Sequence, residues 1–449
     1  MANAAVSQLI STDLAPDRPA PCSWSLAHRV VFRFLFSYFV LYALPDSGRI
    51  SILNTIPGTG LLSKQYVAMW HALCPWVAIH VFHLSGQPVT YFLTGSGDTT
   101  LGYIQNLLFV VVALIATLVW SLADYKRRHY SRLDAWLRIL VRYTLAFTLF
   151  GYGFAKVFPL QFATPGFLRL IEPYGDFSPM GSLWWFMGAS LPYVMFSGAA
   201  EVLGGLLLLF RRTTTLGALV SFAVLLNVAV LNYCYDVPVK LYSTNLVLMA
   251  VFLAARDLRR LFDFFVFNRP TSPADLIAPR FGRRWLRVAT MVFPVLFVGY
   301  HLFGQIKGDW DAYKARYINP QRPPLYGLYE VESFVRNGRE LPPLVTDATR
   351  WRKLVVQSQT AFNIKMMDDS ITNFGTGYDA AKNTVSLTVG NDKSRKYPLA
   401  WSRPDADHLV LEGTLANDAL SVRLRKIDTL TFRLLSRGYH WINELPFNR

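Results

Sequence analysis

The sequence predicts a polytopic α-helical membrane bundle of about seven crossings, followed by a C-terminal antiparallel all-β domain, either a barrel or a sandwich. Three observations carry that expectation. The 449-residue chain is 52% hydrophobic, too apolar for an ordinary soluble globule of its size. Its apolar residues gather in long, sparsely charged runs, each of about bilayer-crossing length. After Phe303 the texture changes, and the apolar period falls to two.

The elements follow in order. Residues 1–29 are polar, with Pro16, Pro19 and Pro21, and read as a disordered cytoplasmic N-terminus. No small-residue cleavage site follows the run 30–45, so it reads as a retained first helix rather than a signal peptide. Segment 66–83 carries His71, Pro75 and His80 between weakly charged loops, and reads as an interfacial or re-entrant helix on the outer face. The run IQNLLFVVVALIATLVWSLA, 104–123, holds no charge at all. Further crossings are expected at 139–158, 193–210, 215–235, 238–255 and 286–303, which makes 30–303 the transmembrane domain. Between two of them, 159–192 forms an outer connection whose Trp184 and Trp185 suit the headgroup zone. Residues 304–325 read as a linker. From 326 to 449, amphipathic segments such as NTVSLTV, HLVLEGTL and ALSVRLRKI alternate with turn sequences GND, RPDAD and AND. About eight strands in sequence suggest an antiparallel meander.

The net charge of +16 raises the question of nucleic acid, and its distribution answers it. Segments 1–33, 124–138, 211–214 and 256–287 hold 18 Lys and Arg, whereas 46–103, 159–192 and 236–240 hold 4. Such alternation is the positive-inside bias. It predicts a plasma-membrane protein with a cytoplasmic N-terminus and an extracytoplasmic β domain, and leaves no basic surplus for nucleic acid. Residues 304–449, with 16 acidic and 21 basic residues, are electrostatically ordinary. The partner implied is the bilayer. Cys22, Cys74 and Cys234 form no CxxC pair, which argues against a vicinal-dithiol relay. Cys74 and Cys234 fall on the same predicted side, where they either pair or sit as small apolar residues.

Ionisable residues inside crossings are expensive and need a reason, at about 2.5–3.5 kcal/mol on insertion scales. Arg142 lies one turn inside the cytoplasmic end and can snorkel. Glu201 cannot: ninth of the 18 residues of YVMFSGAAEVLGGLLLLF, it lies roughly 12 Å from either end. Lys156, in GYGFAKVF, is the second catalytic candidate. Placed by depth, Asn227, Asn232, Asp236, Lys240, Asn245 and His301 fall at mid-plane or in the outer half. That skew predicts a polar cavity opening outward, lined by these six residues with Lys156 and Glu201. The competing interpretation is helix-to-helix glue and helix-end capping. His440 and Glu444, four apart near the C-terminus, are too few for a metal site, so no metal is expected. That aromatic stretch reads as packing against the barrel end or the membrane mouth.

GYGFAKVF, AAEVLGGLLLLFRRTTTLGALV and YCYDVPVKLYSTNLVLM leading into ARDLRRL together give 139–260 a resemblance to the DoxX-like membrane family. The broader group includes the HTTM domain of vitamin K-dependent gamma-carboxylases. HRVVFRFLFSYFVLYALP and a C-terminal β-rich domain on the lumenal side add to the likeness. The resemblance implies the architecture more than the reaction, and no catalytic residue is carried over from it; one functional reading is a membrane-embedded oxidoreductase or carboxylase-like enzyme using a lipophilic cofactor such as a quinone-like lipid. Lys156 or Lys240 would then stabilise charge or act as base, and Glu201 would carry protons. Two alternatives stand beside it: a binding or transport protein for a small solute or lipid, and a scaffold whose β domain meets an envelope protein partner.

Overall fold

A computed structural model describes residues 23–44, 58–86, 89–91, 95–274, 282–390 and 392–448. Most of the N-terminal segment expected to be disordered, including Cys22, lies outside them. Among the described residues, ten helices of eight residues or more carry the first two thirds: α1 (Leu26–Ala43), α2 (Gly60–His80), α3 (Thr100–Ala123), α4 (Ser131–Val157), α5 (Pro179–Ala189), α6 (Leu191–Leu209), α7 (Thr214–Cys234), α8 (Lys240–Ala255), α9 (Leu258–Phe265) and α10 (Arg284–Tyr313). Nine strands follow: β1 (Gly327–Arg336), β2 (Arg339–Glu340), β3 (Trp351–Ser358), β4 (Ala361–Met366), β5 (Ile371–Asp379), β6 (Thr384–Val389), β7 (Asp392–Ser402), β8 (His408–Leu415) and β9 (Asp418–Lys426). The helical-then-β fold class is the one the sequence predicts.

Among the described residues, five helical stretches are long and apolar enough to cross a membrane: α1, α3, α6, 211–234 around α7, and 284–318 around α10. The pair α8 and α9, bent by 75°, makes a sixth if it is one span. The seventh expected crossing, 139–158, is part of the 27-residue helix α4, whose Arg142 and Lys156 sit among hydroxyl and glycine positions and dilute its apolarity. Segment 66–83 folds as a 21-residue helix that continues through Pro75 and does not reach that apolarity either.

The chain forms two compact units, one taking residues up to Gly153 with Ala200–Leu302, the other Phe154–Ala199 with Phe303 onward. In the first, α1 packs on α3, and α7 and α8 form an antiparallel hairpin. The paired glycines after Glu201 admit neighbours at close range. A Cβ on Gly204 would stand 2.9 Å from Ser221 Oγ of α7, and one on Gly205 would stand 2.7 Å from the Phe150 ring of α4. Small residues in membrane helices serve this kind of approach. No disulfide joins Cys74 to Cys234: Cys74 is buried and Cys234 exposed.

In the second unit the sheet runs β2-β1-β3-β4-β5-β6-β7-β8-β9, and β1 also pairs antiparallel with β9, from Tyr329 opposite Lys426 to Arg336 opposite Leu420. This closure removes the free edges that an open sheet would expose, and it decides for a barrel over a sandwich. Eight strands form the wall, while two-residue β2 is a flap on β1. Alternation fills the interior: Val385 and Leu387 of β6, Leu409 and Leu411 of β8, and Val422 and Leu424 of β9 are all buried. The AND sequence behaves as its residues require, with Ala416 and Asn417 at φ 49° and 79° turning β8 into β9.

Two of the connecting segments take definite forms. The linker 304–325 is largely helical: α10 runs on to Tyr313 and a π turn carries it to Ile318. Side-chain pairs one turn apart support the extension, Gln305 with Asp309 at 2.7 Å and Lys314 with Asp311 at 2.8 Å. The C-terminal tail does not pack on the barrel end, since Trp441 is 89% exposed. It folds locally on itself instead, with Arg437 over the Phe447 ring at 4.5 Å. The connection 159–177 packs within the barrel unit. There Lys365 Nζ donates to the Ile171 carbonyl at 3.1 Å, and Gln357 Oε1 accepts from Phe167 N–H at 3.1 Å.

Candidate functional site

Glu201 is 3% exposed and faces inward on a stripe that continues through Gly204, Gly205 and Leu208, all buried. The apolar run 191–209 forces a helix here, and its 3.6-residue period places these four on one side. The facing stripe of α7 carries Ala218, Ser221, Leu225, Ala229 and Asn232. Two of these are polar and incompletely satisfied: neither Ser221 Oγ nor Asn232 Nδ2 has a hydrogen-bond partner. Buried polar atoms are nearly always paired with protein, water or ligand, so orphans on an inward stripe mark a place where something else can bind. Tyr152 of α4 lies within electrostatic range of Glu201 and its ring is 6.1 Å from that of Tyr242 on α8. Tyr242 Oη in turn meets Thr148 Oγ1 at 3.4 Å. A polar seam therefore runs through the apolar helices.

A second network links three helices. Tyr38 Oη of α1 donates to Asn245 Oδ1 of α8 at 2.5 Å, with Asn106 Oδ1 of α3 at 3.1 Å. Asn245 Nδ2 donates to Asn106 Oδ1 at 3.3 Å and to the Leu241 carbonyl at 2.9 Å. Asn245, only 3% exposed, thus sits in the interior as expected, but it binds protein.

The helix turn of NYCYDVPVK is organised by a residue far away in sequence. Asp98 Oδ2 accepts from Lys240 N–H at 2.7 Å and Oδ1 from Leu241 N–H at 3.0 Å. These are the first two amides of α8, orphaned by helix geometry, and Val239 at the N-cap position offers no side-chain cap. Lys240 Nζ pairs with Asp236 Oδ1 at 2.7 Å and stands 3.8 Å from Asp98 Oδ2. The two acids differ sharply in setting, Asp98 being 8% exposed at its side chain and Asp236 83%. Asp236 also adopts the left-handed conformation at φ 51°, which a short polar side chain tolerates at a tight turn.

The remaining expected residues separate. Lys156 is buried, 5% exposed, in the last turn of α4. His301 is half-buried in an aromatic cluster with Phe147, Phe297 and Tyr300, at centroid distances of 5.8, 4.5 and 5.3 Å. Asn227 lies instead on the exposed stripe of α7 with Leu226 and Val230, so it does not line the interior. Depth along a crossing had suggested its place, but depth carries no information about rotation around the helix. Among the described residues, no group of three or more His, Cys, Asp or Glu could hold a metal ion.

A further buried charge lies on α1, outside the set the depth argument had singled out. Arg33 of α1 is 1% exposed, with Nη2 donating to Tyr130 Oη at 2.7 Å, Nη1 to Ser121 Oγ at 2.8 Å, and Nη2 to the Asp124 carbonyl at 3.1 Å. Reading residues singly missed Tyr38, Asp98, Asn106, Tyr152 and Ser221. Asp98 lies in GSGDTT just before α3, where Asp and Ser favour capping of that local helix, so nothing in its own neighbourhood pointed to the amides of α8.

Comparison with known proteins yields one relative. Over 133 residues, 28% of this chain, the sequence is 33% identical to the "Uncharacterized protein YwoB" of Bacillus subtilis (strain 168), covering 79% of that protein. The chain belongs to the family of that protein. No family model and no solved structure matches the chain.

Proposed function

We propose that this member of the YwoB family is an integral plasma-membrane protein whose helical unit binds a small solute or lipid at a buried polar site on α6 and α7. The single observation that carries the reading is Glu201, 3% exposed halfway along an apolar helix, facing a stripe on which Ser221 Oγ and Asn232 Nδ2 have no hydrogen-bond partner. A buried carboxylate and two unmet polar atoms are what a ligand with complementary groups would satisfy. The resemblance of 139–260 to the DoxX-like family, read from the sequence, supports the same region as the working part. The basic segments support a cytoplasmic N-terminus and, counting α4 as a crossing, an extracytoplasmic barrel.

A second reading, an oxidoreductase or carboxylase-like enzyme with a quinone-like lipid, draws on Lys156, whose buried side-chain nitrogen would serve as base or as stabiliser of negative charge. Glu201→Gln should abolish ligand binding or uptake while expression and melting stay close to wild type. Prenyl lipid extracted in stoichiometric amount from purified protein would favour the enzyme. Unchanged binding and phenotype in both Glu201→Ala and Lys156→Ala would reject the site. Orientation is tested with an impermeant thiol reagent on Lys126→Cys and Ala380→Cys, both exposed, in a cysteine-free background. Labelling at 126 and not at 380 in intact cells would reverse the topology.

A further inference from the structure

Where the basic segments of the helical unit converge, six arginines line one cavity of about 430 Å³. Arg138 and Arg142 come from α4, Arg211 and Arg212 from the turn between α6 and α7, and Arg256 and Arg260 from either side of the α8–α9 bend. Two carboxylates answer them. Asp134 pairs with Arg138 at 2.8 Å and Arg256 at 3.6 Å. Asp257 pairs with Arg260 at 2.7 Å and accepts from Thr215 Oγ1.

That leaves three arginines unneutralised. Among the described residues, no carboxylate lies in ion-pair range of Arg142, Arg211 or Arg212. Arg142 is only 7% exposed, its guanidinium lies 5.0 Å from the Tyr143 ring centroid, and its Nε has no hydrogen-bond partner. Arg211 and Arg212 are exposed at the rim. A guanidinium buried without an anion is costly, and neighbouring guanidinia raise that cost by mutual repulsion. The rim is also apolar: Leu216, Phe264 and Phe265 line the cavity and are 53%, 61% and 71% exposed. Basic depth with an exposed apolar lip suits an anion, above all one attached to a hydrocarbon chain.

We propose that this cavity is a phosphate-binding site, in which Arg142 meets the anion from the buried side and Arg211 and Arg212 meet it from the rim. The planar guanidinium fork matches phosphate oxygens geometrically, which an ammonium does not. The phosphate is either the headgroup of an anionic phospholipid or part of a soluble phosphorylated compound. By the positive-inside assignment the cavity opens at the cytoplasmic face, where both are present.

The test uses the full chain and two probes. Retention of phosphatidylglycerol from mixed phosphatidylcholine nanodiscs is read by native mass spectrometry, and inorganic phosphate is titrated against the melting temperature in neutral detergent. Arg211→Gln/Arg212→Gln removes the two exposed cations without disturbing the buried one. Arg283→Gln/Arg287→Gln, at exposed positions outside the cavity lining, removes equal charge. The cavity double variant should lose phosphatidylglycerol about tenfold, equal to about 1.4 kcal/mol, with the control unchanged. If phosphate raises the melting temperature of wild type and not of the cavity variant while lipid retention is indifferent, the site takes a soluble phosphate. The proposal is overturned if wild type and cavity variant behave alike towards both probes. Equal loss of lipid in the control would overturn it as well, since bulk charge would then explain the retention.

Discussion

Asp98→Ala should destabilise the helical unit far more than Asp236→Ala, although the sequence draws attention to Asp236. The Asp98 carboxylate accepts the first two amides of α8, at 2.7 and 3.0 Å, from a nearly buried position. Replacing a helix cap costs about 0.5–2 kcal/mol, and hydrogen bonds to charged groups contribute about 1.5–3 kcal/mol each. Water reaches part of the opened site, so a net loss of about 2 kcal/mol is the central expectation. Thermal unfolding of the full chain in detergent, followed by tryptophan fluorescence, should then shift down by about 4–8 °C, at about 2–4 °C per kcal/mol for a unit of this size. Asp98→Asn keeps one carbonyl oxygen and should fall between. Asp236 is 83% exposed at its side chain, and exposed ion pairs contribute little, so its alanine variant should melt as wild type does. The reasoning fails if Asp98→Ala melts within about 1 °C of wild type, or if Asp236→Ala falls as far.

Three further outcomes can be checked alongside. Tyr38→Phe takes from Asn245 Oδ1 its 2.5 Å donor in the interior, while Asn106 Oδ1 keeps Asn245 Nδ2, and should cost about 1–2 kcal/mol in the same melt, with Asn245→Ala adding little on top because the two share a network. Gly217→Ala would put a Cβ 2.8 Å from Leu208 N and 2.9 Å from the Leu207 carbonyl carbon, both backbone, so overpacking should cost about 1–3 kcal/mol; a variant as stable as wild type would show that the turn yields. In the barrel, the hydrogen bond from Arg336 holds the Asp418 carboxyl below its ordinary range. A depressed folded pKa stabilises above the unfolded value, near 3.9, and that contribution is lost as pH falls through the folded one. Hydrogen-exchange protection at 419–422, beside the β1–β9 seam and taken relative to the intrinsic amide rate at each pH, should fall below about pH 4 in wild type, and Arg336→Gln should remove that step; an acid response unaltered by the substitution would assign it elsewhere.

How much was legible in the chain depends on whether a feature is local. The uncharged run 104–123 and the period-two segments of the β domain declared their elements because period and length are properties of consecutive residues. Glu201 was legible for the same reason: an acid in the middle of an apolar helix is conspicuous wherever that helix packs. Asn227, at mid-plane, and Asn232, nearer the outer end, were both expected to line the cavity, and rotation about α7 separated them, one exposed and the other 6% exposed. That the linker 304–325 is helical as far as Ile318 was not legible, because helix-supporting pairs such as Gln305 with Asp309 are weak signals beside Gly304, Gly308 and the prolines that follow.

The sequence by itself determined a membrane-embedded helical domain, a β domain after it, and the presence of a buried acid, because composition, period and run length act locally. Only the tertiary structure decided that the sheet closes through β1 and β9 and that Tyr38 and Asn106 satisfy Asn245. It alone brought six arginines from three stretches of chain around one cavity, and gave the turn at Asp236 and Lys240 its support from Asp98. Each of those joins residues tens to hundreds of positions apart. Their pairing depends on helix rotation and strand closure, which no window of consecutive residues contains.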